Sequence, residues 1–438
     1  MKKKNSLFSI NKPIIYSAWI AFLVGMLSSC IKDDEGPYFK SDYGVYIEYK
    51  NDGSVIITKP VDDGGVTVTH EGQHVSVSSI ADDVTYFLSG ETANGSFKII
   101  TSEHKQNVVL NGVSITNPDG GAINIQSKKK TYIVLPENKV NVLTDGGISE
   151  ADGSKAALFS EGDLIFNGKG KLSITANRKH GICSDDYLEI YNGEIEITKA
   201  PSDGLHVHDY IAIYGGKLTI MAESDGMDCD RGYIDIHKGE INVTAGNKGI
   251  ATTSDSPSLD RHISILGGTI TIKSLSTAEK DSTGYGLRSA GRLYIEDGTI
   301  QIDTKKKGIS AGKSINMGTG AEDEDGDIFQ PQELRIVGGE ITSTGTVRPE
   351  TNTGSQHCLY YTQEDNMAAN STFILSNVNG GTQLMSFKNS YKVKKVFFSS
   401  SKIQTGGSYK IIRTPNALHQ FNNIQNTFTS YPPFNGAY

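Results

Sequence analysis

The sequence predicts an all-β chain, folded as a single-stranded right-handed parallel β-helix. This is a solenoid with coils of about 22–23 residues and β-rich caps at both ends. Three observations carry the prediction. A five-residue unit, glycine-any-aliphatic-any-aliphatic, recurs as Gly170-Lys-Leu-Ser-Ile, Gly193-Glu-Ile-Glu-Ile, Gly216-Lys-Leu-Thr-Ile, Gly239-Glu-Ile-Asn-Val, Gly268-Thr-Ile-Thr-Ile and Gly298-Thr-Ile-Gln-Ile, with glycine spacings of 23, 23, 23, 29 and 30 residues. Two further alternating pieces travel with it, one through Leu188/Ile190, Ile211/Ile213 and Ile234/Ile236, the other after a second glycine as in Gly181-Ile, Gly204-Leu, Gly226-Met and Gly249-Ile. No stretch of the repeat carries a helical period.

Each unit thus holds three short strands with side chains alternating in and out, joined at glycine corners. Propeller blades need about 40 residues and leucine-rich repeats their own asparagine spacing, so the period selects the β-helix. Less regular coils precede the repeat, at Val108-Val-Leu110, Gly112-Val-Ser-Ile, Ala122-Ile-Asn-Ile, Tyr132-Ile-Val-Leu and Val140-Asn-Val-Leu. The expected organisation is an N-terminal β cap with first coils over 43–106, the parallel β-helix over 107–369, and a C-terminal β cap and tail over 370–438. Insertions lengthen later coils near Asp255–Arg261, Ser276–Tyr285 and Gly318–Glu333. The acidic run Glu322–Asp327 lacks EF-hand spacing and reads as a solvated loop.

The first residues read as an address. Lys2, Lys3, Lys4 and Lys12 precede an apolar run from Ile14 to Leu27 that is short for a membrane span. Leu27-Ser28-Ser29-Cys30 follows and resembles the lipobox of bacterial lipoproteins, in which cleavage leaves an acylated cysteine. Residues 1–29 are then a signal peptide, Cys30 the lipidation site and 30–42 an acylated tether. Several acyl chains anchor stably where one does not. Lys32-Asp-Asp-Glu35 looks like the export signal that sends some lipoproteins to the outer face of the outer membrane. The expected location is therefore the outer membrane, lipid-anchored and facing the cell exterior.

Composition excludes some partners. Loss of residues 1–29 removes four lysines and no acids, taking formal net charge from −8 to −12. An acidic chain without a basic run is a poor nucleic-acid binder. Beyond Cys30 only Cys183, Cys229 and Cys358 remain, too few and too dispersed for a disulfide framework or zinc knuckle. A monomer is expected.

Alternation sorts the side chains that face water. Positions two and four beyond each second glycine point outward, giving one column of Cys183, His206, Asp228, Ala251 and Arg288 and another of Asp185, His208, Asp230 and Thr253. His180, Asp203, Asp225 and Lys248 stand just before the glycines, with Asp186 and Asp209 on flanking turns. Stacked carboxylates repel, and a cation relieves the repulsion. Asp185, Asp186, Asp203, Asp225, Asp228 and Asp230 are thus the candidate metal ligands. Several carboxylates suit calcium, whereas the histidines among them suit zinc, copper or nickel. A solvated acidic face without metal is the plain alternative. His206, His208, Lys248 and Arg288 are the candidate ligand-binding residues on the same side.

An ordered set of motifs carries a wider resemblance: Val84-Thr-Tyr-Phe-Leu-Ser-Gly90, Val109-Leu-Asn-Gly-Val-Ser-Ile-Thr-Asn117 with Asp119-Gly-Gly-Ala-Ile, Leu143-Thr-Asp-Gly146, Gly168-Lys-Gly-Lys-Leu-Ser-Ile and Lys179-His-Gly-Ile-Cys-Ser-Asp-Asp186. Over about residues 50–410 the chain resembles a bacterial family of carbohydrate-binding-domain-containing proteins. The resemblance implies a polysaccharide-lyase-like parallel β-helix that binds calcium, cellulose and acidic sugars such as polygalacturonate.

Three functions are then open. The first is a non-catalytic surface lipoprotein that binds polysaccharide, acidic rather than crystalline because the single tryptophan, Trp19, lies in the signal segment. The second is a metal-dependent polysaccharide lyase, which needs a cation on the uronate and a base for the α proton; Arg178, Lys179, Lys248 and Arg288 are near enough, yet none sits in a lyase motif. The third is a structural or adhesive solenoid. Binding is favoured over catalysis, and no catalytic residue is assigned.

Overall fold

The computed structural model describes residues 44–433 apart from 60–64, 82, 147–152, 255–259, 276–283 and 316–327. The signal segment, Cys30, the tether, the acidic run Glu322–Asp327 and most of the three insertions lie outside the described residues. The chain divides into Met1–Gly36 and Pro37–Tyr438, and every described residue belongs to the second unit.

Among the described residues every regular element is a strand. Most pair in parallel, in three columns stacked coil upon coil, giving a solenoid-like architecture. The first column runs through His180–Ser184, Leu205–Val207, Met227–Cys229, Ile250–Thr252, Tyr285–Ser289 and Lys307–Ile315. The second runs through Leu164–Gly168, Leu188–Ile190, Tyr210–Ile213, Tyr233–Ile236, Ile263–Ile265 and Leu293–Ile295. The third passes through Lys171–Thr175, Glu194–Lys199, Lys217–Ala222, Glu240–Ala245, Thr269–Ser274 and Thr299–Thr304. The recurring pentapeptide is this third column. Its second and fourth positions after glycine face in because side chains alternate.

The core is a set of aliphatic stacks. Ile182, Leu205, Met227, Ile250, Leu287 and Ile309 form one stack, each wholly buried and each in register with the next. Full burial of such a side chain is worth about 1.5–3 kcal/mol. The two glycines of each coil have different reasons. Gly239, at the entry to the third column, has φ of +117°, a conformation that costs glycine little and other residues much. Gly286, at the first column, has ordinary φ, but a Cβ there would lie 2.2 Å from Ile302 Cγ2 and 2.6 Å from the Gly308 carbonyl oxygen. It lets the first column close onto the third.

Outward aromatic residues also stack. Tyr187, Tyr210, Tyr233 and His262 lie face to face at centroid spacings of 4.6, 5.0 and 4.9 Å. Tyr191, Tyr214 and His237 do the same at 4.5 and 4.6 Å. These ladders border the second column on both sides. Cys183, Cys229 and Cys358 are buried free thiols, and burial pushes each up to about 12.

Pairing changes at both ends. Gly44–Tyr49 pairs in parallel with Val84–Thr92 and antiparallel with Val55–Thr58, while Val66–Glu71 and Gln73–Ser79 form an antiparallel hairpin. At the other end Val393–Ser399 lies antiparallel to both Glu340–Thr344 and Cys358–Met367. A four-stranded antiparallel sheet follows, built from Thr372–Asn377, Gln383–Lys388, Tyr409–Arg413 and Asn416–Phe421, over a core that includes Phe373, Leu375, Phe398 and Ile411.

Gly286→Ala is expected to destabilise the protein by about 1–3 kcal/mol, the usual cost of forcing a methyl group into a filled interior. A thermal melt indistinguishable from wild type would show that the close approach is not a packing constraint.

Candidate functional site

The first column carries the site on its outward side. Register pairs Cys183 with His206, His206 with Asp228, Asp228 with Ala251, Ala251 with Arg288, and Arg288 with Ser310 and then Arg348. The column expected from alternation is therefore the column observed. Cys183 points outward yet is fully buried beside Ala156 and Phe159, as Ala251 is further along the same column.

His206 is the centre of the acidic half. Its Nδ1 lies 3.2 Å from Asp203 Oδ2 and 3.5 Å from Asp228 Oδ2, and its Nε2 is 4.0 Å from Asp230 Oδ2. His180, from the preceding coil, places Nδ1 3.2 Å from the same Asp203 oxygen. Its ring stacks on that of His206 at 4.3 Å and 11°. Burial works against charge on His206, but hydrogen bonding to Asp203 and Asp228 outweighs it and raises the imidazole to about 9. For Asp203 burial likewise opposes ionisation, and contacts with His180 and His206 still hold it well below the usual carboxylate range. His180 is lowered by burial, which exceeds the pull of Asp203. At neutral pH one charged imidazole thus sits among three carboxylates.

The other expected ligands are drawn elsewhere. Asp203 Oδ1 accepts the Asp225 backbone N–H at 3.0 Å, and Asp225 Oδ1 accepts the Lys248 N–H at 2.9 Å. The pre-glycine carboxylates thus tie one coil to the next. Lys248 Nζ closes on Asp225 Oδ2 at 2.5 Å, so both residues of that pair are engaged. Asp185 is held by Lys155, with Nζ 2.6 Å from Oδ2. His208 Nδ1 lies 3.5 Å from Asp209 Oδ1. Arg288 remains on the shared column, with its guanidinium 5.5 Å from the Tyr285 ring centroid.

Asp186 belongs to a second group. Burial, and then the adjacent carboxylates of Asp163 and Asp209 with which it shares hydrogen bonds, raise Asp186 to about 6. The three side chains stack on successive turns at the corner between the first and second columns. Asp163 was missed in the sequence because its coil lacks the glycine that marks the later ones. His180 was visible only as a pre-glycine residue, and its pairing with Asp203 needs the coil register. The tyrosine ladders had a signal: an aromatic residue recurs on either side of each aliphatic pair of the second column.

The raised Asp186 makes a stability prediction. The folded state keeps this proton up to about pH 6, whereas an unfolded aspartate releases it near about 4. Stability is therefore lost as pH rises through that window. With chelator present, Asp186→Asn is expected to melt above wild type at about pH 8 and level with it at about pH 4. A difference that stays constant across the window would remove the carboxylate column from the account.

Residues 62–325, more than half of the chain, match the model of a family described as carbohydrate-binding domain-containing protein. A carbohydrate-binding domain-containing protein of Acetivibrio thermocellus is 34% identical over 114 residues, which cover 25% of this chain and 40% of that protein. The chain thus spans well under half the length of this relative. Among solved structures, a gadolinium derivative of a polysaccharide lyase-like protein from C. thermocellum aligns at 22% identity and a TM-score of 0.40, covering 72% of this chain and 97% of that one. The chain belongs to the carbohydrate-binding domain-containing family.

Proposed function

We propose that this protein is a cell-surface lipoprotein that binds an acidic polysaccharide of the polygalacturonate kind. The face would be the outward side of the first column of a right-handed parallel β-helix. The observation that carries the reading is the in-register passage of one column from His206 and Asp228, through Ala251, to Arg288, Ser310 and Arg348. A polyuronate offers a carboxylate at every sugar. A guanidinium recognises a carboxylate through two parallel hydrogen bonds, and Arg288 forms no ion pair among the described residues. The hydroxyl groups of the same sugars suit the aspartates and His206 as hydrogen-bond partners.

Calcium fits the second group of acids. Asp163, Asp186 and Asp209 supply only oxygen donors; burial, and then repulsion from its two neighbours, raises Asp186, and a dication would relieve that repulsion. These residues would hold the ion, and when bound it would bridge sugar carboxylates to the protein. Lys248, already paired with Asp225, is not free to serve as the base of a lyase. Leu27-Ser-Ser-Cys30 supports a lipid anchor in the outer membrane, with the solenoid acting as a monomer on the cell exterior.

The direct test is retention of residues 36–438 on immobilised polygalacturonate, first with calcium and then with chelator. Retention in calcium, release by chelator and no unsaturated sugar products are expected. Arg288→Ala should weaken binding at least about tenfold, the low end for losing hydrogen bonds between charged groups. Failure to bind in either condition would remove acidic glycans as the ligand. Separately, Cys30→Ser is expected to move the full-length protein from the membrane fraction to the soluble one, and unchanged partition would remove the lipid anchor.

A further inference from the structure

We propose that His180, Asp203 and His206 form a binding site for a divalent transition metal of the zinc type, separate from the carboxylate column at Asp186. The three offer one ligand atom each, all within 4.8 Å of one another. They come from two successive coils, so the register that stacks the coils also assembles the site.

His180 meets the cluster through Nδ1, 3.2 Å from Asp203 Oδ2, and buried polar atoms without a hydrogen-bond partner accompany it. His180 is 2% exposed, and its buried Nε2 makes no hydrogen bond. The buried Oδ1 of Asp230 makes none either, while His206 Nδ1 already lies against Asp203 and Asp228. A buried polar atom without a partner costs about 1–3 kcal/mol, and several in one cluster call for a ligand that is not a protein group. A solvated acidic face would not bury an imidazole in this way.

The donor chemistry selects the ion. Two imidazoles and one carboxylate suit zinc, copper or nickel and are a poor set for calcium, which takes six to eight oxygens. Three protein ligands leave a position open, and Asp228 and Asp230 stand beside it, 3.5 and 4.0 Å from His206 nitrogens. Asp203 is held from behind: its Oδ1 accepts the Asp225 N–H, leaving Oδ2 toward the imidazoles. Such outer contacts fix the orientation of metal ligands. The two rings, now stacked at 4.3 Å, must turn about χ2 to converge on one ion. That torsion is intrinsically broad for histidine, and His206 is partly exposed.

The test needs no glycan, so its outcome is independent of the polysaccharide reading. Chelator-stripped full-length protein is titrated with zinc alone in a calorimeter, then in a large excess of calcium, and bound zinc is counted after dialysis. One zinc per chain is expected, retained in calcium. His206→Ala and His180→Gln should each weaken it at least about tenfold, while Asp297→Asn, on a turn away from the first column, should leave it unchanged. Because His180 is buried, each variant is melted first, and the partly exposed His206→Ala decides the matter if His180→Gln does not fold. No zinc uptake, displacement by calcium, or uptake indifferent to His206→Ala would overturn the site.

Discussion

The structure depends on coil-to-coil register. Each strand of the three columns hydrogen-bonds to its copies one coil away, about 4.8 Å distant, and the interior is the stack of aliphatic side chains that this pairing creates. Because side chains alternate with a period of two, a slip of one residue would exchange core and surface along the column. The glycines hold the register from two directions. Gly239 turns the chain at a positive φ, and Gly286 lets the first column approach Ile302. Neither role is interchangeable with the other, although both appear in the sequence as one recurring residue type.

The same register also governs the surface, for better and worse. Stacked aromatic rings gain from it, and the tyrosine ladders beside the second column are spaced by the coils themselves. Stacked acids lose by it, and the chain answers differently at each position. Asp203 and Asp225 turn an oxygen to the backbone N–H of the next coil. Asp225 and Asp185 also take lysine partners, Lys248 and Lys155. Asp203, Asp228 and Asp230 surround the charged ring of His206. Asp163 and Asp209, beside Lys130 and His208, also flank Asp186, where burial and then these neighbouring carboxylates raise its pKa to about 6.

This division explains which features were legible in the sequence. Alternation and spacing identify the inward stacks and the outward order Cys183, His206, Asp228, Ala251, Arg288, because both follow from the period alone. They cannot reveal partners supplied by other coils at irregular positions. Lys155 reaches Asp185 across 30 residues, through a coil whose pattern is interrupted. Asp163 joins Asp186 and Asp209 from the same irregular region. Cys183 is outward by alternation yet buried, because burial depends on neighbours such as Phe159 that period-two reasoning places on the surface. Thus the column was readable, while the pairing of its members required the fold.

Ala251 shows how opposite charges persist on one column. Asp228 and Arg288 are both its register partners, so they stand two coils apart, about 9.6 Å along the stack. Across that distance near a wet surface their attraction is only about 0.4–1.7 kcal/mol, depending on the effective dielectric. A carboxylate at 251 would bridge the gap and close Arg288 into an internal ion pair, as Asp225 does with Lys248. A bulky side chain there would instead separate the two halves with an apolar ridge. The small buried methyl group of Ala251 does neither, and Arg288 forms no ion pair among the described residues, so its guanidinium stays available under the proposed reading. Under the same proposed reading, a face that meets an anion at one end and a cation at the other rests on that one small residue in the register.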